Sequence, residues 1–303
     1  MLPETTESDY ITADLLSSAG GTLIDVRTPE SYAEAHIQGA ANHCVYEVGF
    51  MEEFPEAHPD RAAALVVYGE GDPYEADRAA LGRLQYLGYE NVLILKGGLQ
   101  QWRAESREVE GEGPTRSGNF EGASLTLDTE RTKVRWIGRN LINQHHGEVA
   151  AVEGYLEISP AHLPAQGKVT VDLRRMSCHD LNEESGAGML IDHLASADFF
   201  DVANHPHAEF EILSAEPIAD ASYGKPNFRI NGQMTARGKS AELAIEALME
   251  PIDSGYVFQT TFSFDRTILG ALYGSGKFFE RLGMHLVNDL VSMDITAFFN
   301  TNS

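Results

Sequence analysis

The hydrophobic pattern of this chain changes its period once, near residue 110, and that change calls for two differently built domains. Before it, short apolar runs alternate with helical segments. Thr22-Leu-Ile-Asp-Val26, Ala64-Leu-Val-Val-Tyr68 and Asn91-Val-Leu-Ile-Leu95 have the length and composition of buried strands. Between them, Pro29-Glu-Ser-Tyr-Ala-Glu-Ala-His36 begins with a proline suited to a first helical turn, and residues 74–86 gather Ala76, Ala80 and Leu84 on one face, extended by Leu87. Gly97-Gly-Leu-Gln-Gln-Trp102 opens a further short helix. Such alternation predicts a doubly wound α/β domain, a parallel sheet with helices on both faces.

After the change, residues 125–127, 134–136, 149–158, 169–173, 208–212, 228–230, 256–264 and 291–295 alternate with period two. Asn231-Gly232 and Asp253-Ser-Gly255 read as turns between them. About eight strands of this kind suit an all-β antiparallel barrel or sandwich, interrupted by a helical insertion around residues 188–196. The stretch 104–122 is charged, holds four Gly and one Pro, and lacks apolar periodicity. The expected division is therefore 1–108, a linker at 109–122, and 123–303.

Composition narrows the function. Lys+Arg 22 against Asp+Glu 46 leaves a net charge of −24, which opposes phosphate backbones and anionic membrane surfaces. No nucleic-acid partner is expected. No run approaches the roughly 18 apolar residues of a membrane helix, so no membrane insertion is expected. The first residues, Met1-Leu-Pro-Glu-Thr-Thr-Glu-Ser-Asp9, are acidic where an export signal is basic and then apolar, and the expected location is cytoplasmic.

Cys44 and Cys178 lie far apart without CxxC spacing and support neither a disulfide framework nor a cysteine zinc site. Six histidines fall in the second half, at 145, 146, 193, 205, 207 and 285. Neighbouring His145 and His146 splay on a strand, while His205 and His207 share a side, and two same-side histidines make an incomplete site. No metal and no cofactor are expected. Neither a G-x-S-x-G elbow, a P-loop nor a dinucleotide fingerprint occurs.

Two resemblances sharpen these expectations. Leu23-Ile-Asp-Val-Arg-Thr-Pro-Glu-Ser-Tyr-Ala-Glu-Ala-His-Ile-Gln-Gly-Ala40, Leu87-Gly-Tyr-Glu-Asn-Val92 and Lys96-Gly-Gly-Leu-Gln-Gln-Trp102 resemble the rhodanese family over roughly residues 8–108. The resemblance implies a nucleophilic cysteine directly after the strand ending at Tyr68, in a cradle of N–H groups that lowers the thiol pKa. Here that segment is Gly69-Glu70-Gly71-Asp72-Pro73-Tyr74, with glycine at the nucleophile position, aspartate for the family's glycine and tyrosine for its arginine. The expectation is a non-catalytic rhodanese-like domain, with Asp25, Arg27 and His36 as framework and with regulatory docking of a protein partner as its remaining role. The rival expectation is sulfur transfer through Cys44 or Cys178.

Val134-Arg-Trp-Ile-Gly-Arg-Asn-Leu141, His145-His-Gly147, His193-Leu-Ala-Ser-Ala-Asp-Phe-Phe-Asp-Val202, Ile230-Asn-Gly-Gln-Met-Thr-Ala-Arg-Gly238 and Tyr273-Gly-Ser-Gly-Lys-Phe-Phe279 resemble the YceI-like family. That resemblance implies a lipocalin-like barrel with an elongated apolar cavity for polyisoprenoids or other long-chain amphiphiles, and a homodimer; the expected cytoplasmic location favours a fatty or quinone-like ligand. Candidate ligand-facing residues are Val134, Trp136, His193, Phe199, Phe210, Ile212, Phe228, Ile230, Phe262 and Phe264. A small barrel filled by its own side chains, acting through protein contacts, is the alternative.

Overall fold

The computed structural model describes residues 2–113, 120, 122–161, 163–219, 221–222 and 224–301. The chain divides into two compact units, Met1–Arg116 and Ser117–Ser303.

In the first unit, strands β1 (Tyr10–Ile11), β2 (Thr22–Asp25), β3 (His36–Ile37), β4 (Ala41–Asn42), β5 (Ala64–Tyr68), β6 (Asn91–Leu95) and β7 (Val109–Glu110) accompany five helices. These are α1 (Ala13–Ala19), α2 (Pro29–Glu34), α3 (Phe50–Ala57), α4 (Ala76–Tyr86) and α5 (Gly98–Ala104). Five strands form a parallel sheet in the order β1-β6-β5-β2-β4. Alternate residues of β5 enter different cores. Leu65 and Val67 join Phe54, Ala80 and Leu84, whereas Val66 and Tyr68 join Ile11, Ile37 and Leu99. Both faces are thus covered, which is why the strand reads as one unbroken apolar run. At α2, Pro29 occupies the first turn and the Thr28 hydroxyl accepts the Ser31 N–H at 3.3 Å, as an N-cap does.

The expected linker starts too early. Strand β7 pairs antiparallel with β3, and the Glu112 and Gly113 N–H groups donate to Ala33 O (2.8 Å) and Glu34 O (3.0 Å). Residues 109–113 therefore belong to the first unit, held by backbone hydrogen bonds that their charged side chains do not advertise.

The second unit contains β8 (Ser124–Leu127), β9 (Lys133–Arg139), β10 (Gln144–Ile158), β11 (Pro164–Met176), α6 (Ala187–Ala195), β12 (His207–Pro217), β13 (Phe228–Ala236), β14 (Lys239–Ile252), β15 (Gly255–Asp265) and β16 (Leu290–Thr301). All pairings are antiparallel, and β10 pairs with β11 to close a barrel. Between β10 and β16, the short strands β8 and β9 lie end to end as one stave, so the barrel has eight staves. Strand direction sorts the connections. Loop 140–143, the α6 excursion, the Arg237-Gly238 turn and the long 266–289 segment all gather at one end, the mouth.

Two local expectations fail for packing reasons. Asn231-Gly232 lies inside β13 rather than in a turn, and a Cβ on Gly232 would sit 2.3 Å from the Phe210 ring. The glycine makes room for that ring. The hairpin turn falls instead at Arg237 and Gly238, both with positive φ (53° and 66°). Strand β14 is absent from the period-two segments read in the sequence, because its Ala, Glu and Leu residues favour helix. Its Ile245, Ala247 and Met249 nevertheless alternate into the barrel core, and tertiary burial overrides local preference.

Candidate functional site

The barrel interior is not filled. Inward positions held by Gly138, Ala208, Ala236 and Ala297 do not reach the middle of an eight-stave barrel, and a cavity of about 430 Å³ remains. That lies within the range of about 300–1,000 Å³ common to small-molecule sites. Its wall is mostly apolar, from Leu156, Phe258 and Phe299 in the depth to Leu190 and Leu194 of α6. Met284, His285 and Asn288 line the cavity yet are exposed, so it opens at the mouth.

Of the residues expected to face a ligand, Val134, Trp136, His193, Phe199, Phe210, Ile212, Phe262 and Phe264 line this cavity. Phe228 and Ile230 do not. They share the inward face of β13 but lie beyond Gly232, where the interior is packed, and Ile230 is 0% exposed opposite Ala215 and Ile245.

An aromatic cluster and a buried cation form the mouth-side wall. The His193 ring meets Tyr273 edge-on at 4.6 Å and Phe199 at 5.1 Å. Arg266 is 1% exposed, and its guanidinium stands 5.2 Å from the Phe199 ring centre. Its N–H groups donate to four carbonyl oxygens: Asn288 O (3.0 Å), Val287 O (3.0 Å), Tyr273 O (2.7 Å) and Ala271 O. Burial pulls the Arg266 pKa below its ordinary value, and Asp289, 3.8 Å away, offsets this in part. One side chain thus fixes both flanks of the mouth segment. No sequence signal marked Arg266, because its partners are backbone groups.

Further polar groups line the same end. Arg139 donates to Ser292 Oγ at 2.7 Å. The His145 Nδ1 lies 2.8 Å from Asp180. Burial alone would raise the Asp180 carboxyl, but hydrogen bonds from His146 N–H, His145 and the Cys178 thiol outweigh it and hold the group at about 2. Among the described residues no three His, Cys, Asp or Glu side chains converge as a metal site.

In the first unit, the loop after β5 is tied to the start of α5. Leu99 N–H donates to Gly69 O (3.0 Å) and Gln100 N–H to Glu70 O (2.8 Å). A Cβ on Gly98 would lie 2.6 Å from Gly69 O, so the Gly97-Gly98 pair permits this approach. The loop is acidic. Glu70 accepts from Arg27 Nη1 at 2.9 Å, and Arg27 is also gripped by the fully buried Asp25. Burial raises the Asp77 pKa, and the charges of Glu75 and Asp72 add to the shift. The His36 ring stacks on Tyr32 at 3.7 Å, with its Nδ1 2.8 Å from Tyr32 O. The two thiols stand elsewhere, Cys44 buried beyond β4 and Cys178 beyond β11.

Comparisons with known proteins agree with both units. Residues 11–105 match the rhodanese-like domain. The rhodanese-like domain of the Anabaena Alr3790 protein is 29% identical, covering 36% of this chain and 83% of that one at a TM-score of 0.31. BcnA of Burkholderia cenocepacia is 18% identical, covering 56% of this chain and 98% of that one, TM-score 0.44. A polyisoprenoid binding domain from Saccharophagus degradans, implicated in plant cell wall breakdown, is 11% identical, covering 59% and 98%, TM-score 0.43. No curated protein matches the chain. The YceI-like domain matches residues 125–299, the span of the barrel and more than half of the sequence, and the chain belongs to that family.

Proposed function

We propose that the barrel binds or carries a long-chain apolar molecule, a polyisoprenoid, a quinone-like compound or a fatty amphiphile, and does so without chemistry. The observation that carries this reading is the mostly apolar cavity with its polar mouth. Hydrocarbon entering it gains about 0.8 kcal/mol per buried CH₂, and one or two polar contacts suffice to orient a head group. His193, Tyr273 and Arg139 at the mouth are the side chains that would meet it. The first unit, with Gly69 where its relatives' nucleophile is expected and with carboxylates around it, acts as a regulatory or interaction module rather than as a sulfurtransferase.

Organic extraction of the purified protein, followed by mass spectrometry beside a Phe210→Asp or Phe264→Asp variant, tests the reading. A near-stoichiometric long-chain species in the parent, absent from the folded variants, is the expected result. An empty extract after incubation with a cellular lipid pool, or unchanged retention by the variants, overturns it.

A further inference from the structure

Large apolar side chains are exposed very unevenly on the second unit. Leu141, Ile142, Met189, Phe278, Phe279 and Met284 are between 47% and 76% exposed, and all six stand at the mouth. Ile268, Tyr273 and Leu290 add to the same end, whereas elsewhere on this unit only Tyr155 and Leu213 are exposed among the described residues of this class. Topology places them together. Asn140 bridges to Val287, Asn288 N–H donates to Arg139 O (2.9 Å), and the β11 end lies beside the β10 start through Ser177 N–H to Glu148 O (2.8 Å).

Local structure holds these residues outward. The Asn140 side chain accepts the N–H groups of Ile142 (2.9 Å) and Asn143 (2.7 Å), and Asn140 N–H donates to Asn143 O, so the loop is a fixed turn with Leu141 and Ile142 at its tip. Turn tips are ordinarily polar. Phe278 and Phe279 are presented by a second fixed turn, both N–H groups donating to the oxygen of fully buried Ser275 (3.1 and 3.0 Å). Concentrated exposure of this kind marks an interaction surface.

We propose that this rim docks the barrel on a zwitterionic lipid surface, so that the cavity exchanges its cargo directly with the bilayer. The inference rests on the carrier reading above. Two observations choose the occupant. The rim is continuous with the cavity opening, since Met284 belongs to both, and a cargo that fills an apolar cavity resides in lipid rather than in water. The barrel unit itself, residues 117–303, holds 14 Lys+Arg against 25 Asp+Glu, a net charge of −11 that opposes an anionic surface and leaves a neutral one. Side chains at the tips of turns enter the headgroup boundary as the anchors of peripheral proteins do.

Co-flotation of the full chain with phosphatidylcholine vesicles, with and without phosphatidylserine, tests the proposal against the double variant L141S/I142S. Extraction and mass spectrometry of both proteins report the cargo separately, and sedimentation reports their mass. The parent is expected to float with phosphatidylcholine, less so with phosphatidylserine present. The double variant should bind about tenfold more weakly while keeping its extracted cargo. Loaded parent protein that does not float, or a variant that floats equally well, overturns the docking surface and leaves the carrier reading standing. A parent dimer that the double variant breaks assigns the rim to a second copy and overturns it too. Empty extracts from both proteins remove the carrier reading and the docking inference with it.

Discussion

Replacing Arg266 by Met would remove the clamp across the mouth of the barrel. The parent side chain is 1% exposed and satisfies carbonyls of Ala271, Tyr273, Val287 and Asn288, with Asp289 as its nearest carboxylate. Methionine fills similar length but donates nothing. Four acceptors lose their donor, and Asp289, whose Oδ1 is buried without a hydrogen-bond partner, loses its nearest buried cation. Removing one member of a buried charged cluster costs about 3–5 kcal/mol, and rehydration of loop carbonyls near the surface moves the expectation to the lower part of that range. For a unit of this size the melting temperature falls on the order of 10 °C. Arg266→Lys keeps the charge but presents a compact ammonium in place of the planar fork, and most of the loss should persist. The chain has two tryptophans, Trp102 in the first unit and Trp136 in the barrel, so denaturant unfolding followed by emission in a Trp102→Phe background reports the barrel alone. Because Tyr273, Val287 and Asn288 also line the cavity, release of a bound fluorescent fatty acid should quicken. A variant within about 1 kcal/mol of the parent, with unchanged release, would refute the clamp.

Two further outcomes follow from the first unit. A Cβ on Gly69 would come 3.3 Å from the Ala76 Cβ, in a backbone conformation open to any residue, so Gly69→Cys should fold. Glu70, Asp72 and buried Asp77 oppose a thiolate and an anionic substrate, so thiosulfate-to-cyanide turnover should stay at background, and clear turnover would contradict that reasoning. His43 and His58 face each other with Nε2 atoms 3.0 Å apart, and burial lowers both pKa values, with His58 also lowering His43. The unfolded chain then binds more protons below its ordinary histidine value of about 6.5, so stability is complete above that pH and declines as pH falls beneath it. Melting curves across that range should show the slope, and His58→Gln should flatten it.

Much of this architecture is written as periodicity. The unbroken run Ala64-Leu-Val-Val-Tyr68 announces a strand covered on both faces, and the two-residue alternation after residue 123 announces a barrel. What escapes is whatever depends on a partner distant in sequence. Gly232 looks like a turn because glycine usually serves turns, and only the Phe210 ring on the neighbouring strand explains it. Phe228 and Phe210 are alike in pattern and both half-buried against the core, yet only Phe210 lines the cavity. Alternation gives the face of a strand but not the depth along it. Arg266 is invisible for the same reason, since loop carbonyls carry no side-chain signature.

The stave shared by β8 and β9 binds β16, Ser124–Leu127 meeting Thr301 and Phe299, and Lys133–Arg139 meeting residues 292–296. The seam of the barrel therefore joins residues 155 to 176 positions apart. On a ribosome it cannot form until β16 has been made. Until then β9 and β15 each present a bare edge, the kind that pairs with other chains, and closure over so long a loop is slow. The α/β unit, made earlier and from nearer contacts, is then a folded companion to a barrel still open, and a chain lacking β16 would keep that opening for good.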